Sequence, residues 1–387
     1  MTFDSPASAF IPDKLPLEIP LSSQTRELPS FSTSGANWQA RLNQMCLDAF
    51  LPWLREEQVK TARVWISQAA LPSFWEFVNG TAITCEGRRL VLIPTAAIDL
   101  EELRVPQEWV DIPSWVADYY LAVQVNPNGG WVTIYGYTTH EQLKTKGVYN
   151  AGDRAYCLDE NDLIQDINVL WIARQLCPDE ILRGSVSPLP KLPLAQAENL
   201  LQRLGNPAVV FPRVAIPFEI WGALLEHGGW RKRLYERRQG LSEQWSIQEW
   251  LQAGVSYLAQ QLGWGMTSMQ LAPRGVRSRE PQESSIYLSR RLTLAGNPYE
   301  LHVFSRGNLE DRIWRFELRN ANPNEMIPAG FKLRLLTEDL QAFANNEDTA
   351  KEAIAQLYVD VVLEPGEGLV WEIEPTPDEY DREILRF

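Results

Sequence analysis

A chain of 387 residues with 45% hydrophobic and 22% charged residues can bury more than one sizeable core without disulfide support. Its formal net charge of −14 disfavours a global electrostatic grip on nucleic acid or on an anionic membrane surface. Fifteen Trp stand against three His (His140, His227, His302), none near another, which leaves little material for histidine-based acid–base or metal chemistry.

Residues 1–35 carry Pro6, Pro12, Pro16, Pro20 and Pro29 among many Ser and Thr, and read as an extended arm. It is either a free tail or a strap laid along the body through Phe10, Ile11, Leu15, Leu17 and Ile19. Trp38, Leu42, Met45, Cys46, Ala49, Phe50 and Trp53 then recur at helical spacing, with Asn37 as the predicted N-cap and Pro52 as the predicted stop. Thr81–Cys85 and Arg88–Ile93 flank a Glu86-Gly87 turn and predict a hairpin. A second hairpin joins Tyr120–Val125 to Trp131–Tyr135 through Asn126-Pro127-Asn128-Gly129-Gly130. A helix over about 160–177 buries Leu163, Ile164, Ile167, Leu170 and Trp171, with Asp159 as its expected N-cap. Residues 36–183 thus form a predicted α+β domain with antiparallel strands.

Six prolines in 184–217 mark a linker around a short helical patch, Leu194–Leu204. A helical segment follows over 218–280. Gly228-Gly229 interrupts its first part. The capping box Ser246-Ile247-Gln248-Glu249 opens a helix that runs through Trp250, Leu251, Val255, Leu258 and Leu262 to a stop at Gly263. From 281 to 387 the period becomes two. Trp314, Phe316 and Leu318 alternate with Arg315, Glu317 and Arg319; Phe331, Leu333 and Leu335 with Lys332 and Arg334. Leu357–Leu363 is expected to pair with Leu369–Ile373 across Glu364–Gly368. This is the pattern of an antiparallel β-sandwich, so the fold class is α+β: a mixed N-terminal domain, a helical middle and a C-terminal sandwich.

Sequence motifs for phosphate cradles, serine nucleophiles and zinc helices do not occur. No catalytic, cofactor-binding or metal-binding residues are expected, and the enzyme class is disfavoured. The four cysteines (Cys46, Cys85, Cys157, Cys177) lack CxxC spacing and are expected as reduced, mostly buried thiols in the cytoplasm. The first residues lack a signal-peptide pattern, and no run reaches the ~18 apolar residues of a membrane helix. A hydrolase would need Cys157 beside His140, or a carboxylate pair across a cleft such as one drawn from Glu372 and Glu374. The competing expectation is a core cysteine, a histidine in a helix N-terminal turn and a solvated acidic strand edge. His302 is expected on the surface face of its strand.

Two sets of residues are partner-binding candidates. Arg231, Lys232, Arg233, Arg237 and Arg238 form the dense basic cluster, on a helix that is otherwise a solvated rod paired to acidic neighbours. Trp109, Trp115 and Trp131 fall outside the apolar stripes and could form exposed platforms of the kind a carbohydrate-binding module needs. The remaining tryptophans placed on faces (Trp38, Trp53, Trp171, Trp250, Trp314, Trp371) read as core.

Three stretches carry a resemblance: Pro106-Gln107-Glu108-Trp109-Val110-Asp111-Ile112-Pro113 with Asp118-Tyr119-Tyr120; Gly136-Tyr137-Thr138-Thr139-His140; and Gly366–Pro375 with the ending Arg382–Phe387. Together with the tryptophan-bearing helix at 247–262, they resemble an uncharacterised cyanobacterial family, known only as a domain of unknown function, over most of the chain after residue 36. The resemblance supplies no catalytic residues. It implies a cyanobacterial, intracellular protein and a regulatory role linked to sigma factors. The expected function is therefore a non-enzymatic interaction or regulatory protein whose partner is another protein, neither membrane nor nucleic acid. A Cys/His or carboxylate hydrolase and a carbohydrate-binding module are the alternatives.

Overall fold

The structure, a computed structural model, describes residues 15–177, 179–269, 285–307 and 311–387. The start of the proline-rich arm, with Phe10 and Ile11, lies outside the described residues, as does 270–284, where the helical segment was expected to give way to the sandwich. The chain divides into two compact units: 1–65, 71–190 and 207–226 form the first, and 66–70, 191–206 and 227–387 the second.

In the first unit β1 (Leu15–Glu18) and α1 (Leu21–Thr25) precede the long helix α2 (Ser34–Glu57). Then come β2 (Arg63–Val64), α3 (Leu71–Trp75), β3 (Thr81–Cys85), β4 (Arg88–Thr95), β5 (Glu102–Pro106) and α4 (Gln107–Asp111). β6 (Tyr119–Asn126), β7 (Trp131–Thr139), α5 (His140–Lys146), β8 (Val148–Asn150), β9 (Ala155–Asp159) and α6 (Ile167–Leu176) follow. The chain leaves for α7 (Leu194–Leu204) of the second unit and returns as α8 (Phe218–Glu226).

A six-stranded sheet has the order β1-β7-β6-β4-β3-β2, and a three-stranded sheet the order β5-β9-β8. Pairing is antiparallel except between β4 and β6, which run parallel because the chain crosses through β5 and α4 between them. β1 pairs with β7, so this part of the arm is a strap. Both predicted hairpins form. Glu86 and Gly87 take φ of 47° and 75°, the paired left-handed conformation that matches the twist of a two-residue hairpin.

α2 departs from its expected ends. Thr33, not Asn37, caps it through a bond from the Ala36 amide (3.1 Å), and Pro52 lies inside the helix. Pro52 is exposed, and the buried stripe on the other side carries the helix onward past it. Trp38, expected in the core, is half exposed. The helix expected over 160–177 begins only at Ile167, capped by Asp166; Asp159 caps a short 3₁₀ turn at Glu160–Asp162 instead.

The second unit continues with α9 (Gly228–Arg238), α10 (Ile247–Ala253), α11 (Tyr257–Gln261) and β10 (Trp264–Met269). The strands β11 (Ser285–Leu294), β12 (Asn297–Ser305), β13 (Ile313–Asn320), β14 (Lys332–Thr337) and β15 (Glu347–Thr349) follow, then β16 (Gln356–Val362), β17 (Gly368–Glu374) and β18 (Ile384–Arg386). Two antiparallel sheets, β10-β11-β12-β13-β16 and β15-β14-β17-β18, turn Leu301, Phe316, Leu318 and Leu357 of one and Leu333, Leu335, Trp371 and Ile373 of the other into a common core. This is the expected sandwich.

One pairing is corrected. β16 lies against β13 (Val361 opposite Trp314) and β17 against β14 (Trp371 opposite Leu335), so 357–363 and 369–373 belong to different sheets. Both strands turn alternate apolar residues into the same core, and Glu364–Glu367 carries the chain over from one layer to the other. The helix expected to run from 247 to 262 is broken at Gly254, whose φ of 94° ends α10, although Ser246 caps it as expected, accepting from the Glu249 amide at 3.3 Å. Gly228-Gly229 has a steric reason. A Cβ on Gly228 would lie 2.0 Å from Asp381 Oδ1, and one on Gly229 would lie 2.5 Å from Ile384.

Candidate functional site

In the first unit the densest chemistry surrounds α4, the Gln107–Asp111 part of the motif. Glu108 is fully buried. Arg213 clasps it with Nε to Oε1 at 3.0 Å and Nη2 to Oε2 at 2.6 Å, and the Trp221 indole N–H donates to Oε1 at 2.8 Å. The Trp109 indole donates to the Asn79 carbonyl (2.8 Å), and the Trp109 carbonyl accepts from the Tyr120 hydroxyl (2.7 Å). Asp111 receives Lys144 Nζ on Oδ1 (2.8 Å), and the Tyr156 hydroxyl (2.9 Å) and Gln107 Nε2 (2.9 Å) on Oδ2. The Tyr149 hydroxyl donates to Gln107 Oε1 at 2.8 Å.

The Lys144–Tyr156–Asp111 cluster resembles acid–base machinery in composition but not in electrostatics. Burial raises the Tyr156 pKa. Burial opposes the charge on Lys144, but its bonds to Asp111 and Tyr156 outweigh that and raise its pKa. Both groups stay protonated at neutral pH, with every close donor already matched to an acceptor. The motif therefore pins a helix in place.

His140 and Cys157 do not form a dyad. The His140 ring is buried. Its Nδ1 accepts the Gly184 amide at 3.0 Å, so Nε2 carries the proton donated to the Val110 carbonyl at 2.9 Å. Burial lowers its pKa, which keeps the ring neutral, and neither nitrogen is free to take a proton from a thiol. Burial raises the Cys157 thiol above its usual value, against the opposing pull of Arg104. Cys157 lines an open concavity of about 610 Å³ with Glu101, Glu102, Arg104, Tyr149 and Asn150. Among the described residues, all four cysteines are free.

The carboxylates Glu372 and Glu374 pair with cations: Glu372 with Arg382 (3.2 Å), and Glu374 with Arg334 (3.6 Å) and Lys332 (3.9 Å). His302, expected at the surface, is buried on the outer face of its sheet, 3.0 Å from Glu300 Oε2 and with its ring 4.6 Å from that of Tyr287.

The basic cluster, expected on a solvated helix or a docking face, is internal in the second unit. Arg231, Lys232, Arg233 and Arg238 are buried, and Arg237 alone is exposed. Asp381 receives Arg231 (2.6 Å) and Lys232 (3.2 Å). Arg233 bridges Glu338 (2.6 Å) and Glu198 (2.7 Å), and Arg238 donates to the Leu204 carbonyl (2.9 Å). The helix is enclosed because carboxylates arrive from α7, from the end of β14 and from the segment before β18. Arg237 reaches Glu198 at 3.7 Å.

Trp109 and Trp115, expected as open platforms, are also buried, in an aromatic cluster with Trp65 and Phe74 whose ring centroids lie 4.7–6.3 Å apart. Their environment explains the tryptophan count. Trp221, Trp230, Trp245 and Trp264 each donate the indole N–H to a buried glutamate: Glu108, Glu338, Glu236 and Glu383. Trp131 remains partly exposed at the start of β7.

Among the described residues of the first unit, one face of the helix α6 is left uncovered. Ile167, Leu170 and Trp171 are buried. Val169, Ile172 and Leu176, on another side of the helix, are 42%, 54% and 75% exposed. With Ala173 they fall at i, i+3, i+4 and i+7, a complete apolar stripe without cover. The buried stripe alone was read from the sequence. The signal for the second was the surplus of apolar residues in Ile167–Leu176, seven of ten, more than one buried face requires.

Among the described residues, no helix is long and apolar enough to cross a membrane, and no group of three or more His, Cys, Asp or Glu is arranged to hold a metal. Comparison with curated proteins and with solved structures gave no match. A family description does match, over residues 17–386, and it takes in α4, α6 and both sheets of the sandwich. The chain belongs to that family, described as "Protein of unknown function (DUF1822)".

Proposed function

We propose that the protein is a non-enzymatic binding protein that docks another protein on the exposed face of α6. The observation that carries this is the second apolar stripe. A helix apolar on two sides is ordinarily covered on both, and contiguous exposed apolar surface on an ordered element marks an interaction site. The residue types that suggested other roles are committed inside the molecule: His140 holds two backbone groups, and the basic cluster and most placed tryptophans are packed and paired. A cytoplasmic setting accords with four free thiols. A regulatory role linked to sigma factors is the form of protein docking that the cyanobacterial family resemblance suggests.

The test is site-specific photo-crosslinking in the source cell. A crosslinking residue replaces Ile172, and a control replaces Glu352 in the second unit, which is also exposed. Docking on α6 predicts a discrete adduct from position 172 that is absent from 352 and lost when Leu176→Asp is added. Equal adducts from both positions, or none from 172, would overturn the reading.

A further inference from the structure

Resting on that docking reading, we infer that the occupant of α6 is an amphipathic helix with Lys or Arg flanking its apolar stripe at both ends. The argument is the charge around the stripe. Asp162 and Asp166 stand before it, Asp179 and Glu180 after it, and all four are exposed. The nearby cations are already engaged: Lys146 with Asp162 at 3.5 Å, Arg174 with Glu86 at 2.9 Å, and Arg183 with Asp118 at 2.8 Å. Asp166, Asp179 and Glu180 have no ion pair among the described residues, so each end of the apolar strip presents uncompensated negative charge.

The geometry fixes the partner's dimensions. The ten residues of α6 span about 15 Å at 1.5 Å per residue, and the exposed strip covers two turns of it. A complementary helix needs apolar residues at i, i+3, i+4 and i+7, with basic residues about one turn beyond on each side. A second copy of this chain would set acidic ends against acidic ends, and an anionic bilayer would be repelled by the same carboxylates. A basic-flanked helix covers the apolar strip and pairs both ends.

The experiment uses the full chain and designed peptides of about 14 residues sharing one leucine stripe and differing only in their ends: Lys/Arg, Ser or Glu. Fluorescence anisotropy should give at least about tenfold tighter binding for the basic peptide than for the acidic one at low salt, with the gap closing as salt rises. The triple variant Asp166→Asn, Asp179→Asn, Glu180→Gln should lose that preference while still binding the Ser-ended peptide. Ile172→Asp, at an exposed position that leaves folding intact by circular dichroism, should abolish binding of all three. Binding indifferent to the peptide ends, but lost in Ile172→Asp, would overturn this inference and leave α6 as a docking face. Peptide binding unaffected by Ile172→Asp would overturn both. Sedimentation showing a self-dimer broken by Ile172→Asp, or co-sedimentation with phosphatidylglycerol vesicles, would replace the basic helix with a second copy or with lipid.

Discussion

Glu236→Gln should stabilise the second unit at alkaline pH, although it removes a buried carboxylate. Glu236 sits in α9 and accepts the Trp245 indole N–H at 2.9 Å. Its nearest cation along the helix, Lys232, is directed to Asp381 (3.2 Å). Burial therefore dominates and pushes the Glu236 pKa from the ordinary 4.5 up to about 8. For a raised acid the sign is fixed: its contribution to stability is whole below pH 4.5 and is lost as pH rises through about 8. At 1.36 kcal/mol per unit, the wild type carries a penalty of about 3 kcal/mol at pH 7 and about 4–5 kcal/mol above pH 8, relative to acid conditions. Glutamine keeps the oxygen that Trp245 needs and has no charge to bury. The assay is denaturant unfolding at pH 5, 7 and 9, with hydrogen exchange on α9 peptides to assign the change to this unit. Wild type and variant should lie close at pH 5, and the variant should lead by a few kcal/mol at pH 9. A variant less stable at pH 9 than at pH 5, relative to wild type, would mean that Glu236 is ionised and paired, and the reasoning would fail.

At Glu108 the same substitution should act oppositely. Arg213 grips both oxygens, so Glu108→Gln leaves a partly exposed cation facing an amide and should cost about 2–3 kcal/mol, with Glu108→Gln/Arg213→Met recovering part of it. A urea-midpoint change worth less than about 1 kcal/mol would show that the pair is not coupled. His227, buried with Nε2 donating to the Glu338 carbonyl at 3.0 Å, is pushed by burial down to about 3 from 6.5. Its stability is whole above pH 6.5 and is lost as pH falls through about 3, a loss approaching 4–5 kcal/mol that His227→Gln should flatten. An NMR titration placing His227 near 6.5 in the folded protein would contradict this.

The parts of the fold readable from sequence are those whose cause is local. The Glu86-Gly87 turn needs two positive φ values and nothing distant. The Ser246 cap lies three residues from its amide, and Trp314, Phe316 and Leu318 alternate because one sheet face meets a core. What failed depended on residues far along the chain. Leu357–Leu363 and Leu369–Ile373 share a period and a core, but their hydrogen-bond partners are 40 residues or so away in β13 and β14, so the short connection misled. The basic cluster at 231–238 was legible as a cluster, but its arginines meet carboxylates that spacing cannot reveal: Asp381 lies 150 residues from Arg231, and Glu198 lies 35 from Arg233. The candidate site was half legible: the apolar surplus of α6 is in the sequence, while which stripe stays uncovered is decided by packing.

The indole–glutamate pairs link composition to function. An indole N–H satisfies one lone pair of a buried carboxylate without neutralising it, so a cation is needed to complete the site. Arg213 does so for Glu108, Arg233 and Arg386 do so for Glu338, and Arg290 stands 3.6 Å from Glu383. Glu236 has no such ion pair among the described residues, and burial raises its pKa to about 8. The cost of this architecture is that the arginines of α9 and most of the tryptophans, residue types much used in recognition surfaces, are engaged internally. Recognition then falls to side chains the framework leaves uncovered, and on α6 these are aliphatic in the middle and acidic at both ends. A partner carrying a basic-flanked apolar helix supplies the two chemistries that this face lacks.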